Sequence, residues 1–332
     1  MGKYIKKFDE FINEGKINEM GMADLAGVND ELARKYKLKF NPTTGLYDCG
    51  RGIKVGDDLV QNGRLIISFG TVKGNFSCGG YNLTSLEGAP QEVGGNFDCR
   101  VNELTSLKGA PQKVGGSFNC HYNNLISLEG APQEVGEDFI CSYNKLTSLE
   151  GAPQKVGGRF DCSENNLTSL ESAPQEVGGN FDCSMNDLSS LEGAPQKGWG
   201  GFYCSRNNLT TLKGAPQEVG KDFRCDHNNL TSLEGAPQEV GGVFYCDNNN
   251  LTSLKGAPQK VGGNFSCDNN KLTSLEGAPQ KVSGDFYCRS NPNLIYDEAH
   301  FYGFLPDVIG CDLIADDSKC NYDLVKTYYN NK

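Results

Sequence analysis

A cysteine returns every 21 residues through most of this chain, eleven times in succession, and a phenylalanine precedes each cysteine by two positions. A fixed short period predicts similar turns stacked along one axis, because so short a unit cannot bury its hydrophobic residues without neighbours. The period therefore restricts the fold before any other residue is considered. The cysteines are Cys78, Cys99, Cys120, Cys141, Cys162, Cys183, Cys204, Cys225, Cys246, Cys267 and Cys288.

Each repeat is predicted to begin with a short β-strand. Phe97 and Cys99 alternate with polar residues, which is the pattern of a strand with one buried face. So short a strand can be stabilised only by pairing with the neighbouring turns. Adjacent turns are expected to lie about 4.8 Å apart, so that the strands form a stack of roughly 50 Å.

An asparagine follows the cysteine by three positions in all repeats but the first, which has Tyr81 there. Backbone groups lose their partners where the chain turns off the strand, and an inward-facing amide can pair them and link one turn to the next. Leu104 and Leu107, with their equivalents, are predicted to fill the interior. The asparagines are Asn102, Asn123, Asn144, Asn165, Asn186, Asn207, Asn228, Asn249, Asn270 and Asn291.

The second half of each repeat contains the sequence Gly-Ala-Pro-Gln. Proline lacks a backbone donor and pushes the preceding alanine into an extended conformation, so the return leg is predicted to contain no helix. Val93 and its equivalents are expected to pack inward. Gly94 and Gly95 then turn the chain back to the next strand, and Glu137 in the second glycine position indicates that this position needs no positive φ.

Phe97, Cys99, Asn102 and Leu104 align with the L-x-L-x-x-N-x-L core of a leucine-rich repeat. With its repeat length and its T-S-L-x-G-A-P return leg, the unit resembles the short bacterial leucine-rich repeats. The resemblance implies a mainly β solenoid that forms a right-handed arc, with a parallel concave sheet and a non-helical convex side.

A solenoid needs caps over its first and last turns. We predict an N-terminal cap over residues 1–75, with short helices over 4–13 and 22–36 and a degenerate β turn. Ten full repeats and an eleventh strand follow over 76–291. A helical C-terminal cap is predicted over 292–332. Because Val55 precedes Phe76 by one full repeat length, the degenerate turn is expected to keep the register of the repeats.

The N-terminal sequence carries a second, shorter resemblance. The stretch from Met1 to Glu14 resembles the openings of proteins from large tailed bacteriophages. The triplets Ile12-Asn13-Glu14 and Ile17-Asn18-Glu19 resemble the cleavage site of phage prohead proteases, which implies removal of residues 1–19 during assembly. The alternative is that both triplets are chance features of a helical cap.

Composition restricts the compartment and the partners. The column cysteines are predicted to be reduced, buried thiols, since stacked parallel side chains suit van der Waals contact better than disulfide geometry. Some disulfides, or a metal ladder, remain as alternatives. The start lacks the apolar segment of a signal peptide, so the expected location is the reducing bacterial cytoplasm, or the virion if the protein is a structural component. The net charge of -11 argues against nucleic acid or an anionic membrane as the partner.

The variable residues of the strands indicate a candidate binding surface. In the repeats that this unit resembles, the residues flanking Phe and Cys face outward on the concave sheet. Tyrosine and arginine in a rigid frame are favoured anchors at protein interfaces, although tyrosine also suits an exposed strand for its own sake. The predicted binding residues are Tyr203, Arg224, Tyr245 and Tyr287 with Asp222, Asp226 and Asp247, and Asp268 and Asp285 lie beside them. Tyr122, Tyr143, Met185, Arg206 and His227 are placed at the rim of the sheet and could extend this surface.

No nucleophile–base pair, metal cluster or phosphate-binding loop is visible in the sequence. We therefore predict a protein that is not an enzyme and needs no cofactor. The leading hypothesis is a protein-interaction scaffold that binds a partner on its concave face, encoded by a phage and directed at the host. The alternatives are a virion or surface structural component and, last, an enzyme or enzyme regulator.

Overall fold

A computed structural model describes residues 30–196, 200–294 and 313–314. The described chain is a parallel β-solenoid in which each repeat contributes one strand to each of two sheets. Its repeats contain strands and turns and no helix, which confirms the fold class predicted from the period and the prolines. The strand, the buried asparagine and the leucine positions are those of a short leucine-rich repeat.

The larger sheet, here called the phenylalanine sheet, has 13 strands, and phenylalanine pairs with phenylalanine in every repeat. Each repeat strand is very short, so its stability comes from the strands on either side. The strands are Ile53–Lys54, Phe76–Ser77, Phe97–Asp98, Phe118–Asn119, Phe139–Ile140, Phe160–Asp161, Phe181–Asp182, Phe202–Tyr203, Phe223–Arg224, Phe244–Tyr245, Phe265–Ser266, Phe286–Tyr287 and Leu313–Ile314.

The second sheet is built from the return legs and begins with an antiparallel pair of cap strands, Lys39–Asn41 and Leu46–Cys49. The strand that the period would place between Glu176–Val177 and Glu218–Val219 lies outside the described residues, so the sheet is described in two parts of eight and four strands. Its valines point inward, as predicted. The strands are Lys39–Asn41, Leu46–Cys49, Phe69–Val72, Glu92–Val93, Lys113–Val114, Glu134–Val135, Lys155–Val156, Glu176–Val177, Glu218–Val219, Glu239–Val240, Lys260–Val261 and Lys281–Val282.

The phenylalanine rings form one continuous column inside the solenoid. From Phe76 to Phe286, neighbouring ring centroids lie 5.0–5.7 Å apart with interplanar angles of 5–26°. Phe69 closes the N-terminal end of the column with its ring edge-on, 5.2 Å from the ring of Phe76. Because these rings are buried, the column contributes both apolar burial and aromatic contacts to stability.

The asparagines form the predicted ladder. Asn102 Nδ2 donates to the carbonyl oxygens of Cys78 and Cys99 at 3.0 and 2.9 Å, and its Oδ1 accepts from the Leu83 N–H at 2.9 Å. The same bonds recur in each turn as far as Asn291. Tyr81 starts the ladder, because its hydroxyl donates to the carbonyl of Val55 at 2.6 Å.

The cysteines of the column are free thiols and all are buried. Cys99 Sγ donates to the carbonyl of Asn119 in the next turn at 3.4 Å, and most of the other column cysteines repeat this contact. Burial, with a smaller effect of the neighbouring Cys120 and Cys78, raises the pKa of Cys99 well above its usual range. The thiols therefore stay protonated and serve as small apolar residues.

The first turn departs from the predicted register. Ile53, and not Val55, pairs with Phe76, whereas further along the turn the Thr84 N–H donates to Gly63, one full repeat length earlier. The first turn thus holds two extra residues between Ile53 and Gly63. They are accommodated by a 3-10 helix, Asp57–Leu59, and a small hairpin of Val60–Gln61 and Arg64–Leu65.

The ends of the chain are described only in part. Residues 30–36 are helical and belong to the second helix predicted for the N-terminal cap. The first predicted helix and the helices predicted after residue 295 lie outside the described residues. Leu313–Ile314 extends the phenylalanine sheet by a strand that pairs with Phe286–Tyr287 and that was not predicted from the sequence.

Candidate functional site

The predicted tyrosines lie on one line across the outward face of the phenylalanine sheet. Tyr203 pairs with Arg224, and Arg224 pairs with Tyr245 on the next strand. Ser266 then separates Tyr245 from Tyr287. The fixed period thus brings together the residues that the sequence analysis selected, on consecutive or alternate strands.

Arg224 lies between two aromatic rings. Its Cζ is 5.7 Å from the ring centroid of Tyr203 and 5.2 Å from that of Tyr245. Nη2 of Arg224 is 3.6 Å from Oδ2 of Asp222, so a carboxylate holds the guanidinium from the side. Burial, and to a smaller degree the charge of Asp222, raises the pKa of Tyr203, which remains a neutral hydroxyl. The Arg224 side chain nevertheless stays 44% exposed and accessible to a partner.

A second tyrosine–arginine pair lies two strands away. Arg289 Cζ is 5.3 Å from the ring of Tyr287, and the Tyr287 hydroxyl donates to Asp285 at 2.7 Å. Nε and Nη2 of Arg289 contact Oδ2 of Asp268 at 3.0 and 2.9 Å. Both arginines of this surface are thus oriented by a carboxylate and by a ring, which lowers the entropy that they would lose on binding.

Three aspartates follow the cysteines of consecutive turns and border the tyrosines. Asp226 accepts from Ser205 Oγ at 2.6 Å and contacts His227 Nδ1 at 2.9 Å. Asp247 accepts from the hydroxyl of Ser266 and from the N–H of Asp268. Burial raises the pKa of Asp247. The predicted acidic residues are therefore fixed in place by short-range bonds and form an acidic border.

The N-terminal half of the same face differs in composition. Its central positions hold Asp98, Asn119, Ile140, Asp161 and Asp182 and no tyrosine or arginine. Burial and the nearby Asp161 raise the pKa of Asp182, in that order of importance. The tyrosine–arginine surface is consequently confined to the turns from residue 203 to residue 289.

The rim residues share an unusual backbone. The residue before each ladder asparagine has a left-handed φ of 52–56° from Val101 to Ser290. Tyr122 and Tyr143 stack here with ring centroids 4.3 Å apart. Val101 was not among the predicted rim residues, although it occupies the same repeat position as Tyr122. The rim tyrosines lie on other turns than Tyr203 and Tyr245, so they form a separate surface.

In the part of the chain that the structure describes, no group of three or more His, Cys, Asp or Glu side chains is arranged to hold a metal ion. The described helical residues include no segment that is both long and apolar enough to cross a bilayer.

Comparison with known proteins adds a structural likeness. No family model matches the sequence, and no curated protein matches it. The solved structure of YopM from Yersinia enterocolitica WA-314 shares 20% identity with this chain and superposes with a TM-score of 0.41. The match covers 73% of this chain and 62% of YopM, so the chain matches less than two thirds of that protein's length.

Proposed function

We propose that this protein is a non-enzymatic scaffold that binds a protein partner on the outward face of the phenylalanine sheet. The observation that carries the proposal is the position of Arg224 between Tyr203 and Tyr245, with Asp222 at its side. Pre-oriented tyrosine and arginine side chains are the residues that most often dominate binding energy at protein interfaces.

The composition of the surface defines the partner that would fit. Asp226, Asp247 and Asp285 border the aromatic residues, while Arg224 and Arg289 already contact carboxylates. The surface therefore favours a partner that brings lysine or arginine to the border and a flat or apolar group to the tyrosines. Complementary charges of this kind mainly raise the association rate and select among partners.

We also propose that the protein is encoded by a phage and acts in the bacterial cytoplasm. A phage-encoded protein that acts on a host protein in the bacterial cytoplasm agrees with the phage-like N-terminal sequence and with the free thiols. The thiols support a reducing compartment, and the N-terminal resemblance supports the phage origin.

Affinity capture from a bacterial lysate tests the proposal. The test variant is Y203A/R224A/Y245A, and the matched control is D98A/N119A/I140A, which changes the same repeat position on three consecutive turns of the other half. We expect one protein, identified by mass spectrometry, to be captured by the wild type and the control but lost with the test variant. Equal capture by all three proteins would contradict binding at this surface.

A second candidate function is a structural component of a phage particle. The two Ile-Asn-Glu triplets favour it, because a chain cut at Glu14 or Glu19 would have been processed during capsid assembly. Mass spectrometry of purified particles tests this candidate. We expect a chain that starts after Glu19 if it is correct, and its absence from the particles would remove it.

A further inference from the structure

An apolar stripe runs along the rim in the N-terminal half of the solenoid. Val101, Tyr122, Tyr143 and Met185 form this rim stripe, and their exposed fractions are 53%, 51%, 43% and 39%. They are four of the six exposed large hydrophobic residues in the described part of the chain. A fifth, Ile126, is in the same repeat as Tyr122. Val101, Tyr122 and Tyr143 are on consecutive turns, and Glu164 separates them from Met185. Exposed apolar patches of this kind mark interaction surfaces.

The backbone makes the choice of these residues more unusual. A left-handed φ suits glycine, asparagine and aspartate, and it strains a β-branched or bulky residue. Asn248 and Asn269 show which residue fits the same conformation, with φ values of 54° and 55° against 55° for Val101. The rim stripe therefore goes against both the backbone preference and the preference for burial. The backbone conformation does not explain it, and the stacking of Tyr122 on Tyr143 accounts for only two of the four residues.

Backbone groups at the rim are already paired within the solenoid. The N–H groups of Tyr122 and Tyr143 donate to the carbonyls of Ser142 and Ser163 at 3.2 and 3.1 Å. Their carbonyls accept from the N–H groups of Asn102 and Asn123 at 3.2 and 3.3 Å. A partner strand would find no free backbone donor or acceptor on these residues, so addition of a β-strand is ruled out here. The stripe can hold a partner only through its side chains.

The dimensions of the rim stripe match one helix. Successive turns of a parallel sheet are about 4.8 Å apart, so four intervals from Val101 to Met185 span about 19 Å. One turn of an α-helix rises about 5.4 Å, which nearly matches one turn of the solenoid, and about 13 helical residues cover the stripe.

The area of the rim stripe argues against a second copy of this chain. The four side chains expose on the order of 400 Å², about half of the roughly 800 Å² per partner that a standard interface buries. A line one side chain wide is better covered by a narrow element whose own backbone bonds are internal.

Acidic side chains lie along the stripe. Glu164 occupies the rim position between Tyr143 and Met185, and its charge is the main cause of the raised pKa of Tyr143. Glu103 and Asp187 follow the ladder asparagines beside the first and last stripe residues, while Lys145 is basic. A partner with a lysine or arginine at the height of Glu164 would complement this charge.

We propose that the rim stripe binds an amphipathic α-helix of another protein, which lies along the solenoid axis. The apolar face of the helix covers Val101, Tyr122, Tyr143 and Met185, and a basic residue faces Glu164. This surface is separate from the tyrosine–arginine surface of the phenylalanine sheet, and the two can be occupied independently.

A displayed library of helical peptides, each about 18 residues long so that it exceeds the stripe, tests this proposal. The peptides are randomised at positions i, i+4, i+7, i+11 and i+14 and at two flanking positions, so that i+11 lies at the height of Glu164 and i+14 reaches Met185, and they are selected against the full chain. The test variant is V101N/Y122N/Y143N/M185N, because asparagine already occupies this position at Asn248 and Asn269 and should leave the fold intact. The matched control, R206N/H227N, changes the same repeat position in the other half.

We expect selected peptides with an apolar stripe and a basic flank, and at least tenfold weaker binding to the test variant. Binding to the matched control and to Y203A/R224A/Y245A should be unchanged, which separates this proposal from the function proposed above. The proposal is overturned if no peptide prefers the wild type, or if the selected peptides bind in extended form. It is also overturned if the wild type sediments as a dimer that the test variant abolishes, since the stripe would then bind a second copy.

Discussion

The phenylalanine column and the rim column follow the same turns, and both have a regular backbone. Every repeat places phenylalanine in the first column, where the rings are buried and stacked. The rim column keeps one φ value to within a few degrees, yet its residues range from valine and tyrosine to glutamate, arginine and asparagine. The repeat thus selects the residue type where the side chain is buried. Where the side chain is exposed, the backbone tolerates many types even when some are strained.

The halves of the rim sharpen this contrast. Asn248 and Asn269 in the C-terminal half suit a left-handed backbone, whereas Val101 and Tyr122 in the N-terminal half do not. Because the backbone is the same in both halves, the difference cannot come from the fold. The apolar residues of the N-terminal half agree with the helix-binding surface proposed above.

The largest expected effect is in the phenylalanine column. Phe181→Ala should lower the free energy of unfolding by about 3–5 kcal/mol, because the lost ring leaves a cavity between Phe160 and Phe202. Urea unfolding followed by circular dichroism measures this loss. Phe181→Leu serves as the control and should cost less. A loss under about 1 kcal/mol would show that the column is not a main source of stability.

A slightly smaller loss is expected in the asparagine ladder. Asn186→Ala removes the donor to the carbonyls of Cys162 and Cys183 and the acceptor for the N–H of Leu167. Leaving these buried groups unpaired should cost about 2–4 kcal/mol. The control is Asn208→Ala, an exposed asparagine in the next repeat. Equal stability of the two variants would contradict the ladder.

A gain in stability is expected when Ser172 is replaced by glycine, which the neighbouring repeats have at this position. Ser172 has a φ of 65° in a column where Gly151 and Gly193 have 85° and 91°. A Cβ at Gly193 would lie 2.7 Å from the backbone of Leu170, so the position needs glycine for space as well as for φ. Ser172→Gly should stabilise the protein by about 1 kcal/mol, and Gly193→Ser should destabilise it by at least as much. Changes of the same sign in both variants would be inconsistent with this explanation.

The smallest expected effect depends on pH. Burial raises the pKa of Asp182 above its usual 3.8, so the folded state disfavours its charged form. Stability is therefore lost as the pH rises from the ordinary pKa of an aspartate to the raised pKa of Asp182, and it is regained as the pH falls. Asp182→Asn should raise the melting temperature at pH 7, and the difference from wild type should shrink toward pH 4. A difference that stays constant from pH 7 to pH 4 would show that the carboxyl does not titrate in this way.

The interior of the fold could be predicted because the same residues recur in it. The spacing of Phe97, Cys99 and Asn102 gives the strand, its register and the ladder without further information. Two features escaped prediction for physical reasons. The extra residues near Asp57 form a 3-10 helix and a local hairpin that follow no period, and Leu313 follows Phe286 by more than one repeat length.

For the candidate surfaces, the repeat positions of the residues could be predicted, but not the distances between their side chains. The period placed Tyr203, Arg224 and Tyr245 on neighbouring strands, but not the distances that put the guanidinium between the rings. The left-handed rim was not predicted, because valine, tyrosine and methionine argue against that conformation. The ladder geometry imposes it whatever residue is present.

The thermal unfolding of V101N/Y122N/Y143N/M185N tests most directly whether the rim residues contribute to the stability of the fold. Asparagine relieves the strained backbone at these positions, so we expect a melting temperature equal to or higher than that of the wild type. A melting temperature several degrees lower would show that the rim stripe holds the fold together. The contrast between the buried column and the rim would then be wrong.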